Sequence, residues 1–131
     1  MAEVLHHLTL WVPDLGRAER PWRWLLGELG YSHDRSLERV LVFRHPEGFA
    51  IALEQSADMV PGMLYSRMRP GLNHLAFRVE SPPALRGMLA EAAGYGWSPI
   101  PSDRHPIAGG SQVEYLEDRD GFEVELVAPE G

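Results

Sequence analysis

His7-Leu8-Thr9-Leu10-Trp11-Val12 returns later in the chain as His74-Leu75-Ala76-Phe77-Arg78-Val79, and the reading of that doubled stretch decides the fold. A second pair follows in the same order: Gly48-Phe49-Ala50-Ile51-Ala52-Leu53 returns as Gly121-Phe122-Glu123-Val124-Glu125-Leu126. Two separated segments repeated in order imply two copies of one supersecondary unit. The repeat puts His7, His74 and Glu125 at matching places, with Ala52 where a fourth polar group would stand. Two His and one carboxylate make a metal-binding set with open positions.

Outward from the first copy, Leu8, Leu10 and Val12 alternate with His7, Thr9 and Trp11, the pattern of a strand with one buried face. Pro13-Asp14 ends it. Asp14 is a natural N-cap for a helix to about Leu29, with Trp22, Leu25, Leu26 and Leu29 at helical spacing. Pro21 inside this stretch implies a kink or a later start, and Gly30 is a C-terminal stop. Short strands are expected near 31–36, 39–44 and 49–55.

The second half repeats the plan. Leu72–Val79 alternates, Ser81-Pro82-Pro83 opens a helix to about Ala93, and Gly94 and Gly96 close it. Strands near 97–101, 112–117 and 122–128 complete the copy. Ala108-Gly109-Gly110-Ser111 reads as a flexible loop and Asp118-Arg119-Asp120-Gly121 as a turn. The organisation expected is module 1 over 1–56, a connection over 57–71 and module 2 over 72–131, together one compact domain. The apolar strand faces should pack beneath the helices. The opposite faces then carry His7, Thr9, Trp11, Glu54, His74, Arg78, Glu123 and Glu125, a groove suited to a small ligand.

Composition excludes several function classes. The chain has 131 residues, no cysteine and a formal net charge of −7. That charge argues against a nucleic-acid partner. No apolar run approaches the roughly 20 residues of a membrane span, and without cysteine there is no thiolate ligand or disulfide framework. Met1-Ala2-Glu3-Val4 lacks the marks of a signal peptide, so a cytoplasmic location is expected.

The chain resembles the vicinal oxygen chelate superfamily, which includes glyoxalase I, bleomycin-resistance proteins, fosfomycin-resistance enzymes and extradiol dioxygenases. The resemblance rests on His7–Val12, on His74–Val79 and above all on the run from Gly109-Gly110 through Asp118-Arg119-Asp120-Gly121 to Val124-Glu125-Leu126. It implies an α+β fold of two paired βαβββ modules forming a curved, partly open barrel with helices outside. It also implies a divalent metal (Fe, Mn, Ni or Zn) held by His7, His74 and Glu125. Ala52 departs from the family, because glyoxalase I has a Glu there, implicated in proton transfer. That departure argues against a standard glyoxalase I reaction. The activity implied is a metal-dependent lyase, isomerase or dioxygenase acting on a small oxygenated molecule. The alternative is a metal-free sequestering protein of the bleomycin-resistance type. The resemblance further implies a homodimer, with the metal set closing either within one chain or across two.

The other candidates are weaker. Glu54, Tyr115 and His105 are proton-transfer candidates, in that order. Glu54 lies two residues beyond Ala52 on the same strand face, and His105 lies close to Asp103. Thr9, Trp11 and Arg78 are substrate-binding candidates, with Arg78 pairing an anionic group or, equally, Glu54 or Glu123. His6 matches Asn73 in the repeat and reads as structural.

Overall fold

The computed structural model describes residues 4–101 and 112–129. Its contacts divide the chain into two compact units, Met1–Leu64 and Tyr65–Gly131. Each is an α+β module, as the repeat implied.

In module 1 the order is β1 (His7–Trp11), α1 (Leu15–Glu28), β2 (Ser32–Leu37), β3 (Val40–Arg44) and β4 (Ala50–Glu54). The sheet order is β1-β4-β3-β2. First and last strands pair in parallel, His7 beside Ala50, Thr9 beside Ala52 and Trp11 beside Glu54. The helix starts where its cap predicts: the Asp14 carboxylate accepts from the Arg17 N–H at 3.0 Å, satisfying one of the open donors of the first turn. Pro21 does not mark the start. It sits buried within α1, beside the buried Trp22, Leu25 and Leu26. The helix ends in a six-to-one bond from the Tyr31 N–H to the Leu26 carbonyl at 2.9 Å, with Gly30 N–H bonded to Gly27 O. This arrangement requires the positive φ of 94° at Gly30.

α1 packs against β2, β3 and β4. Strand alternation puts Leu41, Phe43, Ile51, Leu53, Leu10 and Val12, all buried, on one face of the sheet. The other face of module 1 carries His7, Thr9, Trp11 and Glu54 together with Ala50 and Ala52, as alternation along β1 and β4 implies. Val42, Ala50 and Ala52 form a second buried cluster there, with Val40 packed on it. β4 is thus apolar on both faces up to Glu54, and its small residues lie flat beside β1. β2 is exposed along its whole length and irregular between His33 and Arg35, as befits an edge strand.

Module 2 runs β5 (His74–Arg78), α2 (Pro82–Ala92), β6 (Ser98–Ile100), β7 (Gln112–Glu117) and β8 (Glu123–Ala128). Its sheet order, β5-β8-β7-β6, mirrors the first. Ser81 Oγ caps α2 through the Ala84 N–H at 3.2 Å. One 3-10 turn, Ala93–Tyr95, follows the helix before Gly96 closes it at φ 91°. In register, His74 lies beside Glu123 and Ala76 beside Glu125, while Tyr115 lies opposite Glu125. The module's second cluster, Ile100, Val113 and Tyr115 with Val127, lies on the same face as Glu125.

Residues 65–73 are fastened to module 2 by side chains, not by regular structure. The Tyr65 ring stacks on Phe122 at 3.9 Å between centroids, and its hydroxyl donates to the Leu72 carbonyl at 2.6 Å. Among the described residues no helix is long and apolar enough to cross a membrane.

Candidate metal centre

Two of the three residues in the expected metal set belong to module 2. There the parallel pairing of β5 and β8 places His74 Nε2 3.0 Å from Glu125 Oε1. The rest of the ring is oriented from behind. Asn73 Nδ2 donates to the Arg67 carbonyl at 3.1 Å, which turns Asn73 Oδ1 toward His74 Nδ1, 2.7 Å away. An amide oxygen only accepts, so Nδ1 carries the hydrogen. Nε2 is then the nitrogen presented to Glu125. A ring nitrogen and a carboxylate oxygen this close require a positive centre, either a second ring proton or a cation. Ligand atoms bonded at about 2.1 Å and at right angles on one cation also stand about 3 Å apart. The pair therefore fits one edge of a divalent-metal site.

Beside this pair lies a charged cluster of which the sequence disclosed Glu123 but not Arg67. Glu123, with a fully buried side chain, has Oε1 3.0 Å from Arg67 Nε and Oε2 3.9 Å from His74 Nδ1. Arg67 also donates to Glu117 Oε2 at 2.7 Å and to the Gly121 carbonyl at 3.1 Å. Its guanidinium thus binds the ends of β7 and β8 while its carbonyl holds Asn73. Only pairing across the fold reveals Arg67, because its segment has no periodicity to read.

Tyr115 is buried, with its ring edge-on to His74 at 6.4 Å. Burial pushes its phenol above the ordinary range, and the Glu125 and Glu123 carboxylates push it further. Tyr115 therefore stays protonated and is a hydrogen-bond donor at neutral pH. Arg78 is exposed on β5. The Glu123 partner that the sequence offered it is engaged by Arg67 instead.

Module 1 holds the third residue, His7, exposed at the start of β1. Its Nδ1 lies 2.8 Å from His6 Nδ1, and the rings meet edge-on at 5.1 Å. His6, read from the sequence as structural, touches the ring of His7. It bonds the ring of the residue that follows it, as Asn73 does in module 2. Thr9 and the half-exposed Trp11 follow on β1. The Trp11 indole N–H donates to Glu54 Oε1 at 3.0 Å, so one oxygen of the leading proton-transfer candidate is committed to a neighbour. Ala52 sits between Thr9 and Val42 in register. Within either module, among the described residues, no three His, Asp or Glu side chains gather as a metal-binding group. His105 and the glycine loop lie outside the described residues.

Comparison with known proteins agrees with this architecture. Residues 6–115 match the family described as Glyoxalase/Bleomycin resistance protein/Dioxygenase superfamily. The chain is 36% identical over 127 residues to the uncharacterised protein YqjT of Bacillus subtilis (strain 168), covering 95% of this chain and 98% of that one. A glyoxalase-like protein from Bacillus halodurans superposes with a TM-score of 0.84 at 34% identity, covering 96% of each chain. The fosfomycin resistance protein FosX of Listeria monocytogenes, complexed with Mn(II) and 1S,2S-dihydroxypropylphosphonic acid, shares the fold. Its TM-score is 0.68 at 21% identity, over 98% of this chain and 92% of that one.

Proposed function

Because the chain belongs to the Glyoxalase/Bleomycin resistance protein/Dioxygenase superfamily, we propose that it is a metal-dependent enzyme acting on a small oxygenated organic molecule, with His7, His74 and Glu125 as ligands. The observation that carries this reading is the 3.0 Å approach of His74 Nε2 to Glu125 Oε1, with Nδ1 already engaged by Asn73. A divalent cation (Fe, Mn, Ni or Zn) in such a set supplies Lewis-acid polarisation of a substrate oxygen or, for iron, oxygenation chemistry.

The chain's own residues have distinct parts in this scheme. Tyr115 donates its phenolic hydrogen to a substrate oxygen, a role that its raised pKa favours. Glu54 accepts a proton through the oxygen that Trp11 leaves open, and His105 is the remaining proton-transfer candidate. Thr9 and Trp11 contact the substrate on module 1, and Arg78 pairs an anionic group of the substrate on module 2. Mn(II) is the first metal to test, since FosX, which shares the fold, is complexed with it. A cytoplasmic homodimer and the absence of nucleic-acid and membrane partners belong to the same proposal.

The deciding experiment is elemental analysis of untagged protein, with His74→Ala and Glu125→Ala alongside. About one tightly held transition metal per site, lost in both variants, supports the reading. Absence of metal after supply of Fe(II), Mn(II), Ni(II) and Zn(II) overturns it. The second reading, a metal-free sequestering protein, draws support from the net charge of −7, which suits a cationic ligand.

A further inference from the structure

Each of the two histidines in the proposed metal set is bonded through Nδ1 by the residue just before it, yet the two preceding residues differ. Asn73 meets His74 Nδ1 at 2.7 Å, and His6 meets His7 Nδ1 at 2.8 Å. In the second case two ring nitrogens face each other. One hydrogen must lie between them, and it can belong to either ring. If His6 donates it, His7 turns an Nε2–H outward and offers a cation nothing. If His7 donates it, the His7 Nε2 lone pair faces outward, as a ligand requires.

The repeat decides between these. Asn73 can present only an oxygen to His74, because its amide nitrogen is committed to the Arg67 carbonyl. His74 is therefore the donor at Nδ1. We propose that His6 is the positioning residue of His7: its Nδ1 accepts the His7 Nδ1 hydrogen, so that two chemically different neighbours fix one and the same tautomer in the two modules. This rests on the metal reading only for its purpose, not for its geometry. A ligating histidine is usually held by a hydrogen bond at its other ring nitrogen, and loss of that partner costs about 10–100-fold in metal affinity. In this chain a second imidazole provides that hydrogen bond for His7. Adjacent rings then carry opposite tautomers, Nε2–H on His6 and Nδ1–H on His7.

The test is nitrogen-15 NMR of ring-labelled, metal-free protein at about pH 8.5, where ordinary imidazoles, with pKa values near 6.5, are neutral. The parent should show His6 as Nε2–H and His7 as Nδ1–H. His6→Asp, whose ionised carboxylate only accepts, should keep His7 as Nδ1–H, whereas His6→Ala should release it toward Nε2–H. Titration with Mn(II) should then show binding retained in His6→Asp and about 10–100-fold weaker in His6→Ala. An Nε2–H signal for His7 in the parent overturns the assignment, as does a His7 tautomer that does not respond to His6→Ala. If the tautomers behave as stated but the parent binds neither Mn(II) nor any other divalent metal, the metal reading fails and the positioning of His7 by His6 stands.

Discussion

Arg67 Nε lies 3.0 Å from Glu123 Oε1, and Glu123 is a carboxylate whose side chain is fully buried. A cation from an irregular segment thus neutralises a charge in the interior of module 2, directly behind the ring of His74. Arg67→Ala leaves that carboxylate in a low-dielectric site without its nearest cation. We expect a loss of about 3–5 kcal/mol in urea unfolding. The paired change Arg67→Met with Glu123→Leu should recover most of it, because no buried charge then remains.

Tyr115 predicts an alkaline limb in stability. Its folded-state pKa is raised by burial first and by Glu125 and Glu123 next, so the folded protein keeps the phenolic proton longer than the unfolded chain does. The stabilisation is fully present below the unfolded value of about 10 and is lost as pH rises through the folded value. Tyr65 adds to the same limb, since burial is the largest cause of its raised pKa. Tyr115→Phe should flatten the fall in Tm above about pH 10 and leave the neutral-pH slope unchanged.

Ala52→Glu adds a carboxylate at the position where the resemblance to glyoxalase I implies one. Ala52 is buried with Val42 and Ala50, so an ionised group there is poorly solvated. A loss of roughly 2–4 kcal/mol is expected in metal-free protein. If the metal reading is right, Mn(II) should return part of that loss by binding the folded form alone. A loss that is the same with and without Mn(II) would place Ala52 away from any cation.

Gly27, inside α1, and Gly30, just past its end, separate by conformation. Gly30 holds φ at +94°, and an added Cβ would stand 3.1 Å from His45 Nε2. Gly30→Ala should therefore cost about 1–2 kcal/mol. Gly27 has open space around a Cβ and lies within the helix, so Gly27→Ala should add about 0.5–1 kcal/mol. Thermal unfolding of the two variants reads both signs.

The elements of the fold were largely legible because their signals are local. Asp14 and Ser81 announce their helices within three residues, and strand alternation assigns β1 and β5 their faces. The doubled segments announce two copies of one module, to which the structure adds the parallel pairing of β4 with β1 and β8 with β5. The surroundings of the site were less legible. Arg67 meets Glu117 fifty residues further along the chain, and no period or motif links the two. The contact between His6 and the ring of His7 was not legible, since strand periodicity says nothing of bonds between adjacent side chains. Alternation put Ala50 and Ala52 on the same face as His7, but it took the pairing of β3 with β4 to bring Val40 and Val42 beside them.

The parallel pairing of first and last strands has a consequence for when each module becomes competent. Trp11 and Glu54, bonded across β1 and β4, are 43 residues apart in the chain, and the intervening helix and two strands must be threaded before that pair can meet. Closing so long a loop is entropically slow and is rewarded only at the end. In module 2, His74 cannot find Glu125 until β8 has docked beside β5. A chain in which β8 has not docked leaves the His74 ring without the carboxylate that stands 3.0 Å from it, so the pair reports on the docking of that strand.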